Sequence, residues 1–116
     1  MIKLLMKVDV RGLEYKVYLY DNQTYARLHP GSSACMVDSD REIHFNEKYH
    51  ELSTIKHEVA HAFIKSCFLD YTDEICVSDF EEVVCEVIAH FDEKMIKISE
   101  SIHNSIKKGI KSEFEK

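Results

Sequence analysis

The segment that decides the fold runs from Glu51 to Phe68 and reads ELSTIKHEVAHAFIKSCF. It contains no Pro or Gly, and its apolar residues recur at intervals of three and four, which predicts an amphipathic α-helix. The apolar stripe consists of Leu52, Ile55, Val59, Ala62, Phe63 and Cys67. His57, Glu58 and His61 lie on the neighbouring strip, so the helix should present three chemically active side chains at the margin of the core.

The pentapeptide His57-Glu58-Val59-Ala60-His61 has the pattern H-E-x-x-H. Residues four apart lie on one face of a helix, so both imidazoles can reach a single ion. Glu58 lies about 100° from His57 around the helix axis, where its carboxylate can act on a water molecule. Two nitrogen ligands and an adjacent base are what a zinc hydrolase requires. The pattern therefore predicts that His57 and His61 bind Zn²⁺ and that Glu58 is catalytic.

The chain is strand-like before this segment and helical after it. Apolar and polar residues alternate over residues 3–20 with Gly12 in the middle, which predicts a hairpin. Residues 21–32 are expected to form a loop, followed by short strands at 34–37 and 42–45. A second helix is expected from Ser78 or Asp79 to about Lys108. The sequence thus predicts an α+β fold, in which a small antiparallel or mixed sheet of three or four strands packs on the H-E-x-x-H helix and a long C-terminal helix.

The second helix carries an apolar stripe with near-heptad spacing. Its members are Val84, Ile88, Phe91, Met95, Ile98, Ile102 and Ile106. Exposing an Ile costs roughly 1.5–3 kcal/mol, so the half of the helix beyond Met95 should pack on the sheet or on a second chain. In the second case the protein would be a homodimer through this helix. Gly109 is expected to end or fray the helix.

Length and composition limit the classes of function. The 116 residues suit one domain spanning residues 1–116, and the net charge of −6 argues against a nucleic-acid partner. No apolar run reaches membrane-spanning length, and no signal peptide is recognised at the N-terminus, which predicts a cytoplasmic protein without a membrane partner. The four Cys form no C-x-x-C pair, so free thiols are expected, with Cys67 and Cys85 in the core.

A catalytic zinc site normally takes a third protein ligand. The second helix offers four candidates, which are Glu81, Glu82, Glu86 and His90. Helical spacing alone does not choose among them.

The order of elements over about residues 41–92 resembles the compact gluzincin-type metallopeptidases, in particular the ImmA/IrrE-like proteins of phages and mobile elements. Their second helix carries an E-x-x-A-N-x-F-A pattern whose Glu is the third zinc ligand. Residues 82–89 match it with Cys85 for the Ala, Glu86 for the Asn and Ile88 for the Phe. The resemblance implies that Glu82 completes the zinc site. It also implies hydrolysis of a peptide bond in a protein substrate, such as a repressor or a host regulatory factor.

Two alternatives stay open. SprT-like proteases share the first motif but take a later His as the third ligand, which keeps His90 as a candidate. The chain could also be a non-catalytic binding or inhibitor protein on a metallopeptidase scaffold, with a structural metal or none. The presence of Glu58 favours the enzyme, because a pure scaffold has no need of a general base.

Overall fold

A computed structural model describes the backbone of residues 1–37, 40–68 and 77–114 and the side chains of residues 1–37, 40–67 and 80–109. The elements in chain order are β1 (Ile2–Val10), β2 (Leu13–Tyr20), α1 (Asn22–Leu28), β3 (Ala34–Val37), β4 (Glu42–Asn46), α2 (Leu52–Phe68) and α3 (Val77–Phe114). The predicted α+β class, with a four-stranded mixed sheet and a long C-terminal helix, is confirmed. Expectations for Cys76 and for the turn at residues 38–39 lie outside the described residues.

The sheet has the strand order β1-β2-β4-β3. β1 and β2 form the predicted antiparallel hairpin, and Arg11 and Gly12 in its turn have φ angles of 53° and 86°. Two successive positive φ angles are typical of a type I′ turn, where Gly is favoured. The register shifts between Leu4 and Met6, which marks a β-bulge in β1. β4 pairs in parallel with β2 and antiparallel with β3, so β1 and β3 are the outer strands among the described elements.

One face of the sheet packs against α2 and α3 to form the core. The buried side chains alternate along the strands and recur at helical spacing along α2, as the sequence predicts. They include Val17, Leu19, Ile43, Phe45, Ile55, Val59 and Phe63. The rings of Phe63 and Phe91 lie 5.5 Å apart, and those of His50 and His103 lie 6.4 Å apart. Because Phe63 follows His50 whereas Phe91 precedes His103, the two helices run antiparallel.

α3 is longer than expected at both ends. It begins at Val77, so Ser78 and Asp79 lie inside the helix, and it continues through Gly109 to Phe114. A helical Gly costs only about 1 kcal/mol relative to Ala, which is less than the burial of one Ile contributes. Ile102 and Ile106 are fully buried within the chain. No second chain is therefore needed to cover these two residues.

The first half of α3 buries a different row of side chains from the one predicted. Val83 and Val87 are buried, whereas Ile88 is 58% exposed. A straight helix has 3.6 residues per turn, so its contact face drifts away from a strict heptad. Cys85 was expected in the core, yet it is exposed because it lies between Val83 and Val87 on the other side of the helix. Cys67 is buried as predicted.

A short helix, α1, replaces the loop expected at residues 21–32. Asp21 is its N-cap, and its carboxylate accepts a hydrogen bond from the backbone N–H of Thr24 at 3.3 Å. The same carboxylate pairs with the amino group of Met1. Tyr25 is fully buried, and its ring meets that of Tyr20 at a centroid distance of 5.9 Å. Capping and the burial of one Tyr therefore stabilise a helix too short for periodicity to reveal.

Among the described residues, no helix is both long enough and apolar enough to cross a membrane.

Candidate metal and catalytic site

α2 places His57 and His61 side by side on its exposed surface. Their Nε2 atoms lie 3.0 Å apart, and their ring centroids lie 4.6 Å apart. Two nitrogen ligands on a tetrahedral zinc ion lie about 3.3 Å apart, because each Zn–N bond is about 2.0–2.1 Å long. The pair therefore has a spacing that suits either two ligands of one ion or a single N–H···N hydrogen bond.

Glu58 points from the same turn of α2 into the protein and is only 7% exposed. Burial raises the pKa of this carboxyl, while His61 and His57 act in the opposite direction through their charges. Burial is also the main cause of the raised pKa of the Cys35 thiol, and the charge of Glu58 adds to that effect. Glu58 thus lies between an exposed His pair and the interior of the protein, where it can hold or release a proton.

The structure does not bring the four candidate third ligands to this pair. Glu81, Glu82, Glu86 and His90 all have exposed side chains. Within the described part of the chain, His57 and His61 belong to no group of three ligand atoms lying within 4.8 Å of one another. For Glu82 the reason is the helix packing: Phe91 lies opposite Phe63, and Glu82 precedes Phe91 by about two and a half turns.

The assignment of Glu82 as third ligand consequently stays a prediction of the resemblance. A zinc titration of Glu82→Ala would test it.

A second group of ligand-type side chains lies on the face of the sheet opposite the core. His29 is the C-cap residue of α1, and Cys35 of β3 is paired directly with His44 of β4. One ligand atom from each residue lies within 4.8 Å of the other two, so this group can hold a metal ion. Nε2 of His29 and Nδ1 of His44 are 3.0 Å apart. These three residues were not predicted.

Hydrogen bonds and ring contacts fix the position of His44. Its Nε2 lies 2.9 Å from Oε1 of Glu42, and its side chain is buried. The Tyr20 ring lies 4.8 Å from the His44 ring, and the Tyr18 ring meets it edge-on at 5.8 Å. Burial, followed by the nearby charge of His44, lowers the pKa of His29. A neutral His29 has a lone pair with which to bind a cation.

The spacing of these three residues along the chain explains why the sequence does not predict that they lie together. His29, Cys35 and His44 lie six and nine positions apart along the chain, and that spacing matches no familiar metal motif. The closeness of Cys35 and His44 could nevertheless be predicted from the sequence, because a hairpin that pairs Val37 with Glu42 must also pair Cys35 with His44. His29 could not be placed, since α1 was not predicted.

No protein-family model, curated protein or solved structure matches the chain. The resemblance to ImmA/IrrE-like metallopeptidases accordingly stays a prediction that depends on the residue pattern.

Proposed function

We propose that the protein is a zinc-dependent peptidase in which His57 and His61 bind the metal and Glu58 is the general base. One observation carries the proposal: two imidazole nitrogens lie 3.0 Å apart beside a buried carboxyl whose pKa responds to both rings. Bound zinc would supply a Lewis acid that lowers the pKa of water and polarises a carbonyl group.

Glu58 supplies the proton transfers in this proposal. Its raised pKa brings its proton affinity closer to neutral pH, where a general base both accepts and returns a proton efficiently. The ionised carboxylate accepts a proton from the attacking water, whose oxygen bonds to the scissile carbonyl carbon. The protonated carboxyl then donates that proton to the leaving amine as the C–N bond breaks.

The outer strand β3 offers a binding mode for the substrate. α2 contacts β3, so the helix with the His pair packs next to an edge of the sheet. An extended peptide can add to such an edge through main-chain hydrogen bonds. This mode favours an unfolded segment of a protein substrate, and the resemblance suggests a repressor or a host regulatory factor. We place the protein in the cytoplasm, where a thiol such as Cys35 stays reduced.

Glu58→Gln tests the proposal most directly. The wild type and the variant would be loaded with zinc and incubated with a library of unstructured peptides, and the products would be identified by mass spectrometry. We expect the variant to retain zinc while its cleavage falls about 100-fold or more, because a general base contributes about 10²–10⁴ in rate. Glu51→Gln, at an exposed position just before α2, is the matched control and should cleave normally.

Two outcomes would contradict the proposal. Equal cleavage by Glu58→Gln and the wild type would show that this carboxyl is not the base. Failure of the zinc-loaded wild type to cleave any peptide would favour the non-catalytic binding protein.

A further inference from the structure

We propose that His29, Cys35 and His44 form a second metal site, separate from the His57–His61 pair, and that this site takes Zn²⁺. The three residues come from α1, β3 and β4, so the tertiary fold brings them together. Their ligand atoms lie within 4.8 Å of one another. The site goes beyond the proposed peptidase activity, which does not use these residues.

The spacing of the ligand atoms suits a tetrahedral ion. Zn–N bonds of about 2.0–2.1 Å and a Zn–S bond of about 2.3 Å place neighbouring ligand atoms roughly 3.3–3.6 Å apart. The two imidazole nitrogens are already 3.0 Å apart. Because the ligand atoms lie within 4.8 Å of one another, the distance from the Cys35 thiol to either nitrogen needs to shorten by about 1.2 Å or less to meet this geometry. Three protein ligands would leave a fourth position for water or another small ligand.

Glu42 prepares His44 to act as a ligand. A neutral imidazole carries one N–H, and the carboxylate 2.9 Å from Nε2 holds that hydrogen on Nε2. The lone pair on Nδ1 then faces Nε2 of His29. A carboxylate behind a ligand His is the usual means by which proteins orient a metal-binding imidazole. His44 is therefore oriented by Glu42 in the way that metal-binding histidines usually are.

The donor set selects the ion. Two imidazole nitrogens and one thiolate suit borderline-soft ions such as Zn²⁺, whereas Mg²⁺ and Ca²⁺ prefer oxygen ligands. A divalent ion with one thiolate carries a net charge of +1, which Glu42 offsets. His29 also lines a pocket of about 320 Å³, together with Ser32, Asn46 and Tyr49.

The single sulfur ligand, Cys35, allows metal binding at this site to be followed by absorption spectroscopy. Cobalt(II) occupies zinc sites and gives a strong near-ultraviolet charge-transfer absorption only where a thiolate binds it. We expect metal-free wild-type protein titrated with Co²⁺ to develop this absorption and Cys35→Ser to lose it. The double variant His57→Ala/His61→Ala should keep it, because that pair includes no thiolate. Cys67→Ser and Cys85→Ser are matched controls and should also keep it.

Two further variants guard against a folding defect in Cys35→Ser, which circular dichroism would reveal. His29→Gln changes a half-exposed residue and should weaken cobalt binding at least 10-fold. Glu42→Gln should weaken binding about 10- to 100-fold, while the absorption is regained at saturating cobalt.

The inference is overturned if the wild type shows no thiolate absorption, since the 3.0 Å contact would then be an N–H···N hydrogen bond. It is also overturned if the absorption survives in Cys35→Ser. Neither result bears on peptide cleavage by Glu58. Conversely, if the protein cleaves no peptide but still shows the thiolate–cobalt absorption, the peptidase proposal fails and the second metal site is supported.

Discussion

Glu58 is a buried carboxyl next to two exposed imidazoles. The charges of the exposed imidazoles of His57 and His61 act on Glu58, and the charge of Glu58 adds to the effect of burial in raising the pKa of the half-buried Cys35 thiol and of the Tyr25 phenol. Desolvation disfavours the ionised carboxylate, whereas a nearby positive charge favours it. The same group therefore links the stability of the metal-free protein to the proton transfer proposed for catalysis.

Burial of Glu58 should make the stability of the metal-free protein depend on pH. Its pKa is raised from the ordinary value of 4.5, so the folded state binds this proton more tightly than the unfolded state does. Ionisation of Glu58 then lowers stability as pH rises from about 4.5 through the folded-state pKa. Glu58→Gln removes this cost. We expect the variant to be more stable than the wild type at neutral pH, with a difference that shrinks towards pH 4.5.

Urea unfolding in the presence of a chelator, at a series of pH values, would measure this difference. Glu51→Gln is the control, because it makes the same substitution at an exposed position. A Glu58→Gln variant that is less stable than the wild type at neutral pH would contradict the argument. It would mean that interactions of the ionised carboxylate outweigh its desolvation.

At the scale of elements, α3 shows how tertiary packing can continue a helix through a glycine that would be expected to end it. Gly109 lies inside the helix, and among the described side chains a Cβ added there would meet Nζ of Lys3, at 3.6 Å. That distance is an ordinary van der Waals contact with the end of a flexible side chain. In contrast, Gly12 has a φ of +86°, which L-residues rarely adopt.

The two glycines should therefore respond to the same substitution with opposite signs. Gly109→Ala should raise the free energy of unfolding by about 0.5–1 kcal/mol, because Ala has the better helix propensity. Gly12→Ala should lower it by about 1–2 kcal/mol, because Ala is strained at positive φ. Thermal unfolding of both variants against the wild type would measure these changes. A destabilising Gly109→Ala would mean that the helix does not continue through this position.

Features that depend on local periodicity could be predicted from the sequence, whereas those that depend on how the elements pack together could not. The hairpin, the strands of the second hairpin and α2 follow from local periodicity, and so does the contact between His57 and His61. Glu82 and His29 are different, because their positions depend on how α3 packs on α2 and on whether α1 forms. Ile88 and Val87 are both apolar, and only the packing on α2 decides which of them is buried.

At the scale of the whole molecule, α3 covers its own sheet. The complete burial of Ile102 and Ile106 within one chain removes the reason for expecting a dimer through this part of the helix. We expect sedimentation equilibrium at micromolar concentration to give the mass of one chain. If it does not, the exposed large apolar side chains on the described part of α3 are the ones to test, namely Phe80, Ile88 and Ile96. A dimer that dissociates in Ile88→Asp would place an interface on that face and contradict the expectation.

The bulge in β1 has a consequence for aggregation. β1 is a nine-residue outer strand, and an outer strand offers unpaired backbone groups on which a further chain could grow into a fibril. The bulge between Leu4 and Met6 interrupts the regular spacing that such growth needs, and the exposed Lys3 and Lys7 would bring like charges together in a stack of identical chains. The bulge and the two lysines should therefore make this edge a poorer template for amyloid than a regular, uncharged strand would be.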